Sequence, residues 1–135
     1  MRSAARERRV IYVSHSLING DLGRLEALRH ACIRGNQKNQ ISGVLYYDNL
    51  VFFQVLEGAA PKIESLMARI SADKRHKEIV PLANLTIEDR LFDDWGMKFV
   101  SGLLNPQLAE RFTYGDLRHA PPRVLGDRVQ ELFSA

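Results

Sequence analysis

The sequence predicts an α+β fold: a mixed sheet of four or five strands, with two helices on one face and short C-terminal helices on the other. Three observations predict it. Residues 44–47 and 51–56 are apolar runs separated by Asp48-Asn49, a pair that tolerates the left-handed backbone of a tight turn, so they read as a β-hairpin. Segments with apolar residues at helical spacing lie on either side of that hairpin. Finally, the run 51–56 is apolar on both faces: Val51, Phe53 and Val55 on one, Phe52, Gln54 and Leu56 on the other. Such a strand belongs in the middle of a sheet covered on both sides.

In chain order, residues 1–8 form a basic arm, and 9–14 (R-V-I-Y-V-S) are β-branched and aromatic enough for a first strand. After the loop 15–20, Asp21 is a natural N-cap for a helix carrying Leu22, Leu25, Leu28, Ala31 and Cys32 to about Arg34, with Gly35 as its stop. The hairpin supplies strands two and three. Gly58-Ala59-Ala60 turns into a second helix with Pro61 at its first position, and Ile63, Leu66, Met67 and Ile70 make its buried stripe. Residues 78–87 read as a fourth strand, which Pro81 makes either an edge or bulged. Residues 95–100 read as a short fifth strand. Beyond Gly102, two short helices are expected at 106–111 and 124–133, around a loop at 115–122. The order βαββαββ is that of a ferredoxin-like fold.

Composition bounds the function. The apolar and charged contents are ordinary for a globular domain, and no apolar run is long enough to span a membrane. The basic N-terminus lacks the apolar stretch of a secretory signal, and Cys32 is the single cysteine, so a reducing cytoplasm is the expected setting. Four arginines and one glutamate within residues 1–9 account for the whole formal charge of +3. The rest is neutral, so nucleic acid is not an expected partner. There is no G-x-G-x-x-G and no P-loop. His15, His30, His76 and His119 lie far apart without ligand spacing, so a metal centre is not expected, and Asp93-Asp94 reads as a solvated pair. No nucleophile, base and orienting group are assembled, so no enzyme is legible.

What remains is a set of polar and aromatic residues within apolar elements: Tyr12 mid-strand, Asn36 just after the first helix, Gln54 in the buried strand, and Trp95 and Met97 on one face of strand five. Tyr, Trp and Met in such places are usually packing, and Asn after a helix is usually a cap. Gln54 is different. A buried primary amide costs about 1–3 kcal/mol if its hydrogen bonds go unmade, so something must satisfy it.

Together these residues resemble a known family. Over residues 9–103 the chain resembles the BLUF domain, the flavin-based blue-light sensor, and in its length the short single-domain members. The resemblance rests on the tyrosine of R-V-I-Y-V-S, Asn36 before I-S-G, the segment F-x-Q-V-L-E-G, D-K-R-H, and W-G-M, in matching order and separation. It implies a non-covalent flavin, FAD in the first place with FMN or riboflavin as alternatives, held between the two main helices. Tyr12 would be the photoactive tyrosine, Gln54 the switching amide, and Asn36 a partner of the ring's polar edge. Arg75 and His76 would lie near the ribityl-phosphate end, and Leu25, Ile33, Leu66 and Ile70 would sandwich the ring. Trp95 and Met97 would respond to the switch, and residues 104–135 would pass the signal to a separate effector or to a second copy in a homo-oligomer. Gly35 departs from the polar residue many members place beside the flavin, and Cys32, one turn before Asn36, reads first as a small buried core residue, with a place facing the ring as the alternative. Two other readings share the fold. An acylphosphatase-type enzyme would need an anion-binding loop with Arg after strand one, where S-H-S-L-I-N-G-D-L stands instead. A flavin-free ferredoxin-like regulatory or protein-interaction module remains the alternative.

Overall fold

A computed structural model describes residues 6–92 and 96–135. The chain runs β1 (Glu7–Ser16), α1 (Leu22–Lys38), β2 (Ser42–Tyr47), β3 (Val51–Ala59), α2 (Ala60–Ala72), β4 (His76–Ile87) and β5 (Lys98–Ser101). Three short helices close it: α3 (Pro106–Ala109), α4 (Tyr114–Arg118) and α5 (Pro122–Ser134). The strands form one sheet in the order β4-β1-β3-β2-β5, antiparallel except for the β2–β5 pair. This is the expected ferredoxin-like arrangement with one added strand. β3 lies at its centre, as its two apolar faces require.

The two faces divide as the alternation in β3 predicts. Val51, Phe53 and Val55 join Ile11, Val13, Val44 and Tyr46 in a core covered by Leu108, Phe112, Leu117, Leu125, Val129 and Leu132 of the C-terminal segment. On the opposite face, Val10, Tyr12 and Leu56 pack with Ile63, Leu66, Met67 and Ile70 of α2. Leu45 and Phe52 pack with Ile18 and with Leu25 and Leu28 of α1. Asp21 caps α1 by accepting from the Arg24 amide, and Asp48 closes the hairpin by accepting from the amides of Leu50 and Val51. Pro81 is on the edge strand, opposite Tyr12 at a register shift.

Several expectations need correction. β1 begins at Glu7, inside the segment read as an arm, and pairs Glu7 and Arg8 with Ala59 and Gly58. α1 does not stop at Gly35. It continues to Lys38, because Gly35 keeps helical backbone; the left-handed residue is Gln40 at φ 55, and the Asn39 side chain satisfies the Gly35 carbonyl. Asn36 therefore stands on the helix, not after it. The segment expected as a loop at 115–122 contains α4, capped by Thr113, which accepts from the Asp116 amide. β5 starts at Lys98, and Trp95 with Asp93-Asp94 falls outside the described residues.

Candidate functional site

Between α1, α2 and the sheet lies a cavity of about 300 Å³. The β1–β3 pairing builds its floor. Tyr12 and Gln54 are direct cross-strand partners with side chains on the same face, and both are almost wholly buried. The Tyr12 hydroxyl donates to Gln54 Oε1 at 2.5 Å, and Gln54 Nε2 donates to Met97 Sδ at 3.7 Å. Gln54 thus spends its acceptor on Tyr12 and its donor on a soft sulfur, leaving both available for exchange. Burial holds the Tyr12 phenol above its ordinary pKa, with Cys32 and Asp73 adding to the shift, so the hydroxyl keeps its proton at neutral pH.

α1 presents Leu28, Ala31, Cys32, Gly35 and Asn36 to the cavity, one helical stripe. Asn36 is 3% exposed, and among the described residues its side chain makes one long contact, from Nδ2 to the Gly96 carbonyl at 3.5 Å. Its amide is free to serve a ligand. Cys32 faces the cavity and is not enclosed in the core; burial nevertheless pushes its thiol up to about 11, so it stays protonated. Leu66 and Ile70 line the α2 side, as expected. Leu25 and Ile33 do not line the cavity. Leu25 packs one turn earlier against Ile18, Leu45 and Phe52, and Ile33 lies about 100° round the helix from Cys32.

The polar end carries Arg69, Asp73, Arg75 and His76. Arg75 grips Asp73 through Nε and Nη2, at 2.6–3.2 Å, and this hydrogen-bonded pair holds the carboxyl below its ordinary range and raises the guanidinium. His76 Nε2 meets the Ile70 carbonyl at 2.7 Å; a carbonyl only accepts, so Nε2 carries a proton. Nδ1 faces the Ser14 hydroxyl at 2.7 Å.

Sequence reasoning passed over Glu57, although it stands in the V-L-E-G segment. Its fully buried carboxylate pairs with Arg9 at 2.7 Å and accepts from the amides of Leu91 and Phe92 at 2.8–3.1 Å. It ties β3 to the connection that leads to Met97. No grouping of His, Cys, Asp and Glu suited to a metal occurs among the described residues, and none of their helices is long and apolar enough to cross a membrane.

Both the sequence and the fold have known relatives. Residues 8–98 match the model of the BLUF family, described as sensors of blue light using FAD. The photoactivated adenylate cyclase subunit beta of Euglena gracilis is 44% identical over 73 residues, which is 54% of this chain but 8% of that protein. The chain therefore spans under a tenth of the length of that relative. Among solved structures, BlsA in its photo-activated state superposes with a TM-score of 0.82 at 29% identity, covering 96% of each chain. BlrB, a BLUF protein in its dark state, gives 0.82 at 25% identity over 98% of each chain.

Proposed function

The chain belongs to the BLUF family of blue-light sensors, and on that premise we propose that it is a photoreceptor without catalytic activity of its own, which holds a flavin non-covalently between α1 and α2 and signals by rearranging Gln54. One observation carries the reading: Tyr12 donates to Gln54 Oε1 at 2.5 Å in the cavity wall. The residues suit such a ligand. Leu28, Leu66 and Ile70 offer apolar surface to a flat ring, and the amides of Asn36 and Gln54 offer donors and acceptors to its edge. FAD is the first candidate; FMN and riboflavin present the same ring.

A bound oxidised flavin, once excited, supplies a one-electron oxidant strong enough to draw on a tyrosine. Tyr12 is the donor. Its buried phenol is protonated in the dark, so loss of an electron makes that proton strongly acidic, and Gln54 Oε1 is the acceptor in contact. Gln54 would take that proton at Oε1 while passing one of its own from Nε2 to the group that received the electron, or would turn about its terminal torsion. Either change would alter the Nε2–Met97 contact and change which atom of Gln54 offers a donor to a bound ring. Return of the electron and of a proton to Tyr12 would restore the phenol, leaving only the altered amide.

The rearrangement is worth about 1–2 kcal/mol, enough to bias a two-state element about tenfold. Met97 stands in the connection between Phe92 and Lys98, and both ends of it touch the last turn of α5. Phe92 meets the Phe133 ring at 5.5 Å, and Lys98 Nζ donates to the Phe133 carbonyl at 2.9 Å. Residues 9–103 then act as sensor and 104–135 as output, toward a separate effector protein or a second copy. The test is the absorption spectrum of the purified protein before and after blue light. A yellow protein with a small reversible red shift is expected; a protein that takes up neither FAD, FMN nor riboflavin overturns the reading and favours a flavin-free interaction module.

A further inference from the structure

We propose that Ser42 is a positioning residue for the Gln54 switch: together with Glu57 it holds Phe92, and through the connection that follows Phe92 it sets how Met97 presents its sulfur to Gln54. This rests on the switching role given to Gln54 above. Ser42 and Glu57 stand directly opposite each other in the β2–β3 ladder, and both are fully buried. Between them they engage both backbone groups of Phe92. The Phe92 amide donates to Glu57 Oε1 at 2.8 Å, and the Ser42 hydroxyl donates to the Phe92 carbonyl. Ser42 Oγ in turn accepts from Arg90 Nη1 at 3.2 Å. The hydroxyl thus uses both its donor and an acceptor site on this one segment.

The segment links the two layers of the fold. Phe92 packs in the core beneath the C-terminal helices, whereas Met97 packs on the opposite face, with the clusters of Tyr12 and of Leu45. The end nearer Met97 is fastened too: the Gly96 amide donates to the Ile41 carbonyl at 3.0 Å. Gly96 does so at φ 108, a backbone that glycine alone adopts without strain. Consecutive residues, Ile41 and Ser42, therefore hold the connection at Gly96 and at Phe92. The Ile41 bond joins two backbone groups and survives any side chain, but the Ser42 bond depends on a single oxygen atom. Packing of the Phe92 ring on Phe133 already keeps that side chain in the core. What the hydroxyl adds is a fixed direction for the Phe92 peptide, from which the chain sets out toward Met97. The contact it governs is sensitive: Gln54 Nε2 meets Met97 Sδ at 3.7 Å, a distance at which a small displacement ends the interaction.

The test is the rate at which the dark spectrum returns after blue light, in flavin-loaded wild type, Ser42→Ala, Met97→Leu and the double variant. Ser42→Ala is expected to bind flavin, to show the red shift, and to recover about twofold to tenfold faster, because a looser Met97 opposes the return of the amide less. In the Met97→Leu background, where the sulfur is gone, adding Ser42→Ala should change the rate by less than about 1.5-fold. An unchanged or slower recovery in Ser42→Ala overturns the proposal. So does the same acceleration in both backgrounds, which would show that Ser42 does not act through Met97. A Ser42→Ala protein that fails to fold or to take up flavin would give Ser42 a purely structural role and overturn it as well. A flavin-loaded wild type without any red shift would instead overturn the switching role of Gln54 itself.

Discussion

Tyr12 and Gln54 are cross-strand neighbours on β1 and β3, and their side chains close a 2.5 Å hydrogen bond inside the cavity. The pairing register creates this contact. A slip of one residue would turn Gln54 to the face packed by the C-terminal helices. The bond satisfies both a buried phenol and a buried amide, which is why a polar pair survives within apolar strands.

Replacing Gln54 with Leu removes the acceptor and leaves the Tyr12 hydroxyl unpaired. Stability should fall by about 1–3 kcal/mol in urea unfolding, and the light-induced red shift should vanish while flavin still binds. A persistent shift in Gln54→Leu would show that another group relays the proton.

Glu57 should matter to stability more than its distance from the cavity suggests. Glu57→Ala strands the Arg9 charge and two backbone amides, a loss of about 3–5 kcal/mol in chemical denaturation. The same variant should loosen the connection before Met97, seen as faster amide exchange at Leu91 and Phe92.

The Asp73–Arg75 pair predicts an acid-side slope. The folded-state pKa of Asp73 lies below its unfolded value, so the pair's contribution is present above the ordinary carboxylate range. It is lost as pH falls through the folded pKa. Urea midpoints measured from neutral to strongly acidic pH should fall less steeply in Asp73→Asn than in the wild type.

Gly35 offers a stabilising change. It sits inside α1 with no atom within 4 Å of where a Cβ would stand. Gly35→Ala should raise apoprotein stability by about 0.5–1 kcal/mol through helix propensity, read as a higher Tm.

Phe133 tests the route out of the sensor. Light should speed hydrogen exchange in the last turn of α5, and Phe133→Ala should make it fast in the dark as well while sparing the red shift. Removing residues 104–135 outright would not isolate this effect. Leu108, Phe112, Leu117 and Leu132 cover one whole face of the sheet, so the truncated chain would expose its core.

Much of this was legible in the sequence because the strands write their faces in period two. The alternation around Gln54 located the central strand, both layers and the one polar residue needing a partner. The helix carrying Asn36 was harder to read. Gly35 suggests a stop only if its backbone turns left-handed, and the chain postpones that turn to Gln40. Leu25 and Ile33 were expected at the cavity from the family resemblance alone, whereas Leu28 and Cys32 stand there. The α4 turn was missed because Thr113 caps a helix of one turn, too short for any periodicity to appear.

The most direct test of the account is the light-minus-dark absorption spectrum of the flavin-loaded protein beside Tyr12→Phe. A small, thermally reversible red shift in the wild type, with none in a Tyr12→Phe protein that binds flavin equally well, is the predicted result. An equal shift in both proteins would contradict the claim that Tyr12 drives the rearrangement of Gln54.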